Sequence, residues 1–526
     1  MSKDFIVDFR IAARDNLFSA SGWRWPVPQS NYDIPLNNFL EKYHNFPYKL
    51  SHNTELRTAY ELVEAELLKE LMSIGSTWID VAAAKKNNLT IIFSPDQKLH
   101  QMFHEDRFID YSTRADLYHK KFGSLRAKLR EKIRQAKNWT NINLVDNQNI
   151  SIGANTLTNE IRPESTSKIQ ISPYELNLMR PPSQSTIPAT KDTAIQITSD
   201  LDSALERVEA KLSSNGKKFV AALIEKHISN GIIDQQIKLP LGNVGSRTKL
   251  YCGTGGNYRS RLAAHLVQRE GGQVIRTTHG GDTALFNDPL WPNVELPFAS
   301  KYVTYGNQAA KAIKAVQYSH PRSKVIGQDL KIQACGSKYY ESLITPAQNK
   351  ISIPYDGQVA VIAAAFLGEN RIVPNYQTHD VIYLDWHSRL LGLVRSLGYK
   401  TISKRHPKGI GTKQSLFYSH CDSELTEEGM SDLEDIDGYV LDFVGTAFME
   451  AMCTLKPVIL IDFQVRQFTK EGKLKLLKST QIVKANFDED NRLQIDPSEL
   501  RHALNAEVDV EERKKFLDEY LLTPSE

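Results

Sequence analysis

Two short apolar runs joined by one helix-length interval, Tyr439–Asp462 (YVLDFVGTAFMEAMCTLKPVILID), constrain this chain more than any other stretch. The segment reads as a strand (Tyr439–Asp442), a loop (Phe443–Gly445), a helix (Thr446–Thr454) and a second strand (Pro457–Asp462). Both runs are bounded by turn residues and rich in Val and Ile, the pattern of strands buried on both faces. Parallel strands joined through a helix belong to a doubly wound sheet, whose carboxyl ends open on a ligand crevice. There a helix start presents free N–H groups to anions. Asp442 and Thr446 sit at that point, and Glu450 follows one turn along the same face. A phosphate near Thr446 and a ribose hydroxyl near Glu450 are one reading. A plain N-cap, with an acid offsetting the helix dipole, is the other.

The same grammar recurs along the chain. Lys400–Lys404 reads as a strand closed by Arg405, His406, Pro407 and Lys408, and Val359–Leu367 as the strand that opens this half. A helix from about Tyr383 to Leu397 lies between them. Upstream, Lys249–Gly253 is a strand followed by a Gly-rich turn with Gly253, Gly255 and Gly256, then a helix Tyr258–Glu270. These glycines fit neither a Walker loop nor a dinucleotide fingerprint, so they signal either an anion-binding turn or close packing. Gln273–Thr278 is the next strand and ends in His279, Gly280, Gly281 and Asp282. A histidine at a strand's carboxyl end, uncovered by two glycines and oriented by an acid, suits a general base acting on a hydroxyl; it also suits a structural turn. Lys301–Gly306 and Lys331–Gly336 continue the strand series, and Pro497–Leu521 reads as a charged helix pair that returns across the linker.

At 526 residues two or three domains are expected, and 41% hydrophobic with 24% charged residues describes a globular protein. We divide the chain at about residue 347. An acceptor-side Rossmann-like domain (1–347) carries a polar insertion over 140–215, and a donor-side Rossmann-like domain (348–526) ends in helices. Residues 1–50 show no readable element, whereas Leu56, Tyr60, Val63, Leu67 and Leu71 form a helical stripe and Leu89–Phe93 a strand. The helix from Arg114 to Lys137 holds nine Lys or Arg against Asp116 and Glu131, a solvated face or a patch for an anionic surface. No apolar run approaches a membrane span and no secretory leader is readable, so a cytoplasmic protein is expected, with contact at the inner membrane face open. A net charge of +3 gives no argument for nucleic acid, and Cys252, Cys335, Cys421 and Cys453 show no metal or disulfide spacing. Asp200-Leu201-Asp202 and Asp488-Glu489-Asp490 read as solvated turns.

Two Rossmann-like halves, a His-Gly-Gly turn closing a strand of the first and a His-Pro motif with a Thr-initiated helix in the second, resemble the GT-B glycosyltransferases. The order of motifs over Lys249–Leu504 is similar to the bacterial surface-polysaccharide group: CDP-glycerol glycerophosphotransferases, polysialyltransferases and capsule-type Kdo transferases. That resemblance implies transfer from a nucleotide-activated donor, CMP-linked or another, to a glycan or lipid-linked acceptor, without metal or other cofactor. It gives His279 the acceptor side, and His406 with Pro407, Thr446 and Glu450 the donor side. The residues themselves add Asp282 to orient His279, Gly253, Gly255, Gly256, Gly280 and Gly281 as acceptor-side loops, and Arg405, Lys408 and Asp442 to the donor side. The loop Leu367–Asn375 holds Glu369 but lacks the Asp of retaining Kdo transferases, which leaves the donor sugar open. A non-catalytic binding scaffold and a nucleotide-sugar epimerase are the alternatives.

Overall fold

The structure is a computed structural model. It describes residues 4–14, 23–95, 97–107, 149–169, 188–237, 244–287, 294–319, 330–344, 352–366, 372–373, 376–404, 406, 420–425 and 435–524. The basic stretch 114–137, Arg405, Lys408, Glu369 and most of the expected linker 345–356 lie outside these residues.

In chain order the strands are β1 (Asp4–Ile6), β2 (Thr90–Ile92), β3 (Asn149–Ile152), β4 (Ser167–Lys168), β5 (Lys249–Cys252), β6 (Gln273–Thr277), β7 (Lys301–Thr304) and β8 (Lys331–Ala334), followed by β9 (Gln358–Ile362), β10 (Ile372–Val373), β11 (Tyr376–Gln377), β12 (Lys400–Lys404), β13 (Ser423–Leu425), β14 (Gly438–Leu441), β15 (Val458–Asp462), β16 (Gln481–Phe487) and β17 (Leu493–Ile495). One six-stranded sheet runs β4-β3-β5-β6-β7-β8 and is parallel throughout. A seven-stranded sheet runs β13-β12-β9-β14-β15-β16-β17, parallel except for the final β16–β17 pair. The fold is thus α/β with two mainly parallel sheets, as expected from their apolar runs. In the second sheet the chain moves outward from β9 to β12 and returns to β14 on the other side, so a topological switch point opens between β9 and β14.

The described parts of the polar segment 140–215 do not lie outside the cores; residues 140–148 and 170–187, which include most of its Pro-containing centre, fall outside the described residues. Asn149–Ile152 pairs along β5, the helix Thr156–Ile161 follows, and the helix Pro188–Leu205 buries Ala194, Ile197, Leu201 and Leu205. Its Ser- and Thr-rich composition suggested a loop because a short edge strand and a helix with hydroxyl residues in its interior carry few apolar markers. Asp202 correspondingly lies in a helix, accepting from Leu212 N and pairing with Lys217 at 2.7 Å, rather than in a solvated turn.

Residues 1–50 are also more ordered than their sequence announces. The helix Ser30–Lys49 accommodates Pro35 and Pro47 and buries an aromatic face of Tyr32, Phe39, Tyr43 and Phe46. It packs with Thr54–Lys86 and Pro188–Leu205, both of which pack in turn with Ser214–Asp234. The 33-residue helix Thr54–Lys86 carries the expected stripe, yet it is buried nearly all round, including Glu61, Glu64 and Glu70. Partners neutralise this burial: Arg261 lies 3.6 Å from Glu64, and His227 lies 3.1 Å from Glu70. Close approach is possible because Gly231 lacks a Cβ, which would stand 2.7 Å from Ala59 O. The same apolar core continues into the second sheet, where Trp25 stacks on His379 and Phe9 on Phe366.

The C-terminal helix Pro497–Asn505 packs on β16 and Val510–Leu517 packs on the helices Lys470–Ser479 and Thr446–Cys453, and the turn Asp518–Leu522 then carries the chain onto the helices Asn307–Ser319 and Lys338–Ser342 beside the first sheet. Gly306 N donates to Tyr520 O, and a Cβ on Gly336 would stand 2.3 Å from Leu522 O. Arg513 anchors this passage from a fully buried position, donating to Ser479 O and Lys456 O.

Candidate functional site

The carboxyl end of β6 is built by its neighbour. Asn155, in the β3-to-helix turn, donates from Nδ2 to Thr278 O at 2.8 Å and accepts from Thr277 Oγ1 at 2.9 Å. The turn that follows requires glycine: Gly280 and Gly281 have φ of +82° and +81°. It also requires their missing side chains. A Cβ on Gly280 would lie 3.6 Å from Thr446 N, and one on Gly281 would lie 3.2 Å from Leu521 Cδ2 and 3.4 Å from Met449 Cγ. His279 is exposed at the head of this turn. The turn of the first sheet therefore lies directly against the helix Thr446–Cys453 of the second, joining positions far apart in sequence.

Asp282 faces Arg466, 3.4 Å from its carboxylate. Burial pushes the Asp282 carboxyl up, against the pull of the Arg466 and His279 charges. Among the described residues no hydrogen bond joins Asp282 to the His279 ring; its partner comes from the opposite sheet instead.

On that opposite side Gly445, in extended backbone, precedes the helix Thr446–Cys453 and offers no side-chain cap. Its first N–H groups thus depend on something other than a capping side chain. Asp442 is held from behind by Tyr383 Oη at 2.8 Å and Trp386 Nε1 at 2.9 Å. Glu450 is 8% exposed and accepts from Tyr339 Oη at 2.6 Å, a bond that again crosses between the sheets. Burial raises its carboxyl, opposed by the Tyr339 hydroxyl and the Lys404 charge. Glu450 is therefore engaged by protein rather than turned to an open cleft. His406 is half-buried just beyond β12.

The Gly-rich turn after β5 is occupied by the protein itself. Glu295 accepts from Thr254 Oγ1 at 2.5 Å and from Gly255 N at 3.0 Å, and Arg261 Nε donates to Gly255 O at 2.6 Å. A Cβ on Gly255 would stand 2.0 Å from Val294 O, and one on Gly253 would stand 2.6 Å from Gly153 O. Of the two readings open in the sequence, this geometry is the packing one: the turn cradles an internal carboxylate.

A cleft of about 770 Å³, counting solvent at its mouth, opens at the carboxyl ends of β9, β14 and β15. It takes in Asp282 and Asp442 and adds groups that sequence reasoning missed: Arg466, Phe286, Phe468 and Thr378. Phe286 and Phe468 stack with centroids 4.6 Å apart, and the Arg466 guanidinium lies 3.6 Å from the Phe286 ring centroid. These residues occupy loops without periodicity, which gave the sequence reading no signal to find them. Thr446, Glu450 and His406 border other parts of the cleft region and do not line this space. Among the described residues no three His, Cys, Asp or Glu side chains converge as metal ligands would, and no helix is long and apolar enough to cross a membrane.

A scan against protein-family models finds none that matches the chain, and a search of curated proteins returns no match.

Proposed function

We propose that this protein is a glycosyltransferase of the two-lobed GT-B kind, moving a sugar from a nucleotide donor to a surface-polysaccharide or lipid-linked acceptor. One observation carries the reading: the His279-Gly280-Gly281 turn of the first sheet lies against the start of the helix Thr446–Cys453 in the second, with 3.6 Å between a Gly280 Cβ position and Thr446 N. Breaking a sugar–phosphate bond builds negative charge on the departing nucleotide, and an uncapped helix start is suited to receive it. Arg405, His406 and Lys408 would add positive charge from the β12 side. The acceptor hydroxyl must lose its proton, and His279, on the facing wall, takes it. The passage of the C-terminal turn Asp518–Leu522 from the second half to the helices beside the first sheet supports the same two-lobed plan.

The test is nucleotide release from candidate donors, with and without a glycan or lipid-linked acceptor and in the presence of EDTA. Release that needs acceptor and survives EDTA is expected. His279→Gln should lower kcat by about 10²–10⁴-fold and remove the histidine's limb from the pH–rate profile, while nucleotide affinity stays unchanged. Activity of the variant within about threefold of wild type, far inside the range of general-base effects, would remove His279 from the mechanism.

A further inference from the structure

Which kind of sugar the cleft accepts follows from its charge and walls. We infer that the pocket at the ends of β9, β14 and β15 holds the transferred sugar ring and selects an uncharged sugar over one bearing a carboxylate. The inference rests on the transferase reading for the ring's role, and on the pocket alone for its selectivity.

The position is the first argument. The pocket takes in Asp282, three residues after His279, and Val444, two residues before Thr446. It thus adjoins the loops that carry the proposed proton acceptor and the proposed phosphate seat, where a reacting ring is held close to both.

The chemistry of the lining is the second. Asp282, Asp442 and Asp462 face the space against the single guanidinium of Arg466. That guanidinium is engaged by Asp282 at 3.4 Å and by the Phe286 ring at 3.6 Å. Aromatic faces carry negative charge density and pack on the C–H face of a ring, so Phe286 and Phe468 favour a neutral ligand and disfavour an anion. Asp442, oriented by Tyr383 and Trp386, is an acceptor fixed for ligand hydroxyls. Thr378 supplies an independent pointer. It lines the pocket at 5% exposure, and among the described residues its Oγ1 is buried with no hydrogen-bond partner. A rotation of this side chain into the pocket would give the hydroxyl a partner in a sugar hydroxyl. A sugar carboxylate would meet three like charges in a partly enclosed site, where such juxtaposition weakens binding strongly.

The full chain is titrated with methyl glucoside and with methyl glucuronoside by ligand-observed NMR at millimolar concentration. The glucoside should bind at least about tenfold more tightly, which corresponds to ~1.4 kcal/mol. Asp462→Asn should narrow that ratio several-fold. The variant is chosen because the Asp462 contact to Gln464 N, 2.8 Å, needs only an acceptor oxygen and survives the change. Equal or tighter binding of the glucuronoside, or no binding of either glycoside, overturns the inference. In parallel, melting temperatures are recorded with CMP, CDP, UDP and GDP. A nucleotide response without glycoside discrimination removes only the sugar pocket. Discrimination without any nucleotide response keeps the pocket and removes the donor reading.

Discussion

Replacing Glu295 by Ala tests whether the Gly-rich turn is scaffold or ligand loop. The Glu295 side chain is 6% exposed and satisfies two groups of the turn, Thr254 Oγ1 at 2.5 Å and Gly255 N at 3.0 Å. Hydrogen bonds to a charged acceptor contribute roughly 1.5–3 kcal/mol each, and a buried N–H left without a partner adds a penalty of similar size. The two bonds share one carboxylate and are not additive, so a loss of about 3–5 kcal/mol is expected for Glu295→Ala. Glu295→Gln keeps one acceptor oxygen and should lose about half as much. Urea unfolding reads the global effect, and hydrogen exchange of the peptide spanning residues 250–260 reads the local one. Nucleotide affinity of the folded variant should match wild type. An unfolding free energy changed by less than about 1 kcal/mol, with nucleotide affinity lost, would refute the reasoning and return the turn to the binding machinery.

His387 is fully buried, and burial pushes its ring from 6.5 down to about 3. Because the folded value is depressed, its contribution is present above 6.5 and is lost as pH falls toward 3, where the unfolded chain takes a proton that the folded chain refuses. The slope is about 1.4 kcal/mol per pH unit, so near pH 5 wild type should have lost ~2 kcal/mol that His387→Leu does not lose. Urea midpoints of both proteins between pH 7 and pH 5 check this; parallel curves would contradict it. Tyr339→Phe should destabilise the protein by roughly 1.5–3 kcal/mol through loss of the 2.6 Å bond to Glu450. A double-mutant cycle with Glu450→Gln should show coupling between the two, and additive effects would mean the bond contributes nothing across the cleft.

The legible parts of the chain were those whose signal is local. β5, β6, β7, β8, β12, β14 and β15 each announce themselves locally and lie within one or two residues of the expected bounds, whereas β9 ends at Ile362, five residues before the expected Leu367. The helix Thr446–Cys453 was equally plain, starting at a turn and ending before Pro457. What failed was long-range. The sequence of the Gly253–Gly256 turn does not reveal that Glu295, forty residues on, fills it. Nor does it reveal that Tyr339 occupies Glu450. β4 is a two-residue edge strand, and β3, buried between β4 and β5, is only four residues long with Asn149 and Ser151 alternating with its two isoleucines, so both read as loop. The helix Ser30–Lys49 was obscured by its two prolines, whose cost is offset by an aromatic face that only packing explains.

The seating of Tyr520 and Leu522 on Gly306 and Gly336 sets an order of events during synthesis. The first sheet's loops are made roughly two hundred residues before the segment that covers them, which at ~5–20 residues per second is about 10–40 s on the ribosome. Through that interval the seat for Tyr520 and Leu521 stands open, although both are buried in the finished protein. The first sheet is thus finished only after a long delay, and the nascent chain meanwhile carries an apolar vacancy that a holding chaperone is suited to shield. The closure joins Tyr520 and Leu522 to Gly306 and Gly336, so the two halves of the cleft acquire their mutual register only after the segment 518–522 has been made.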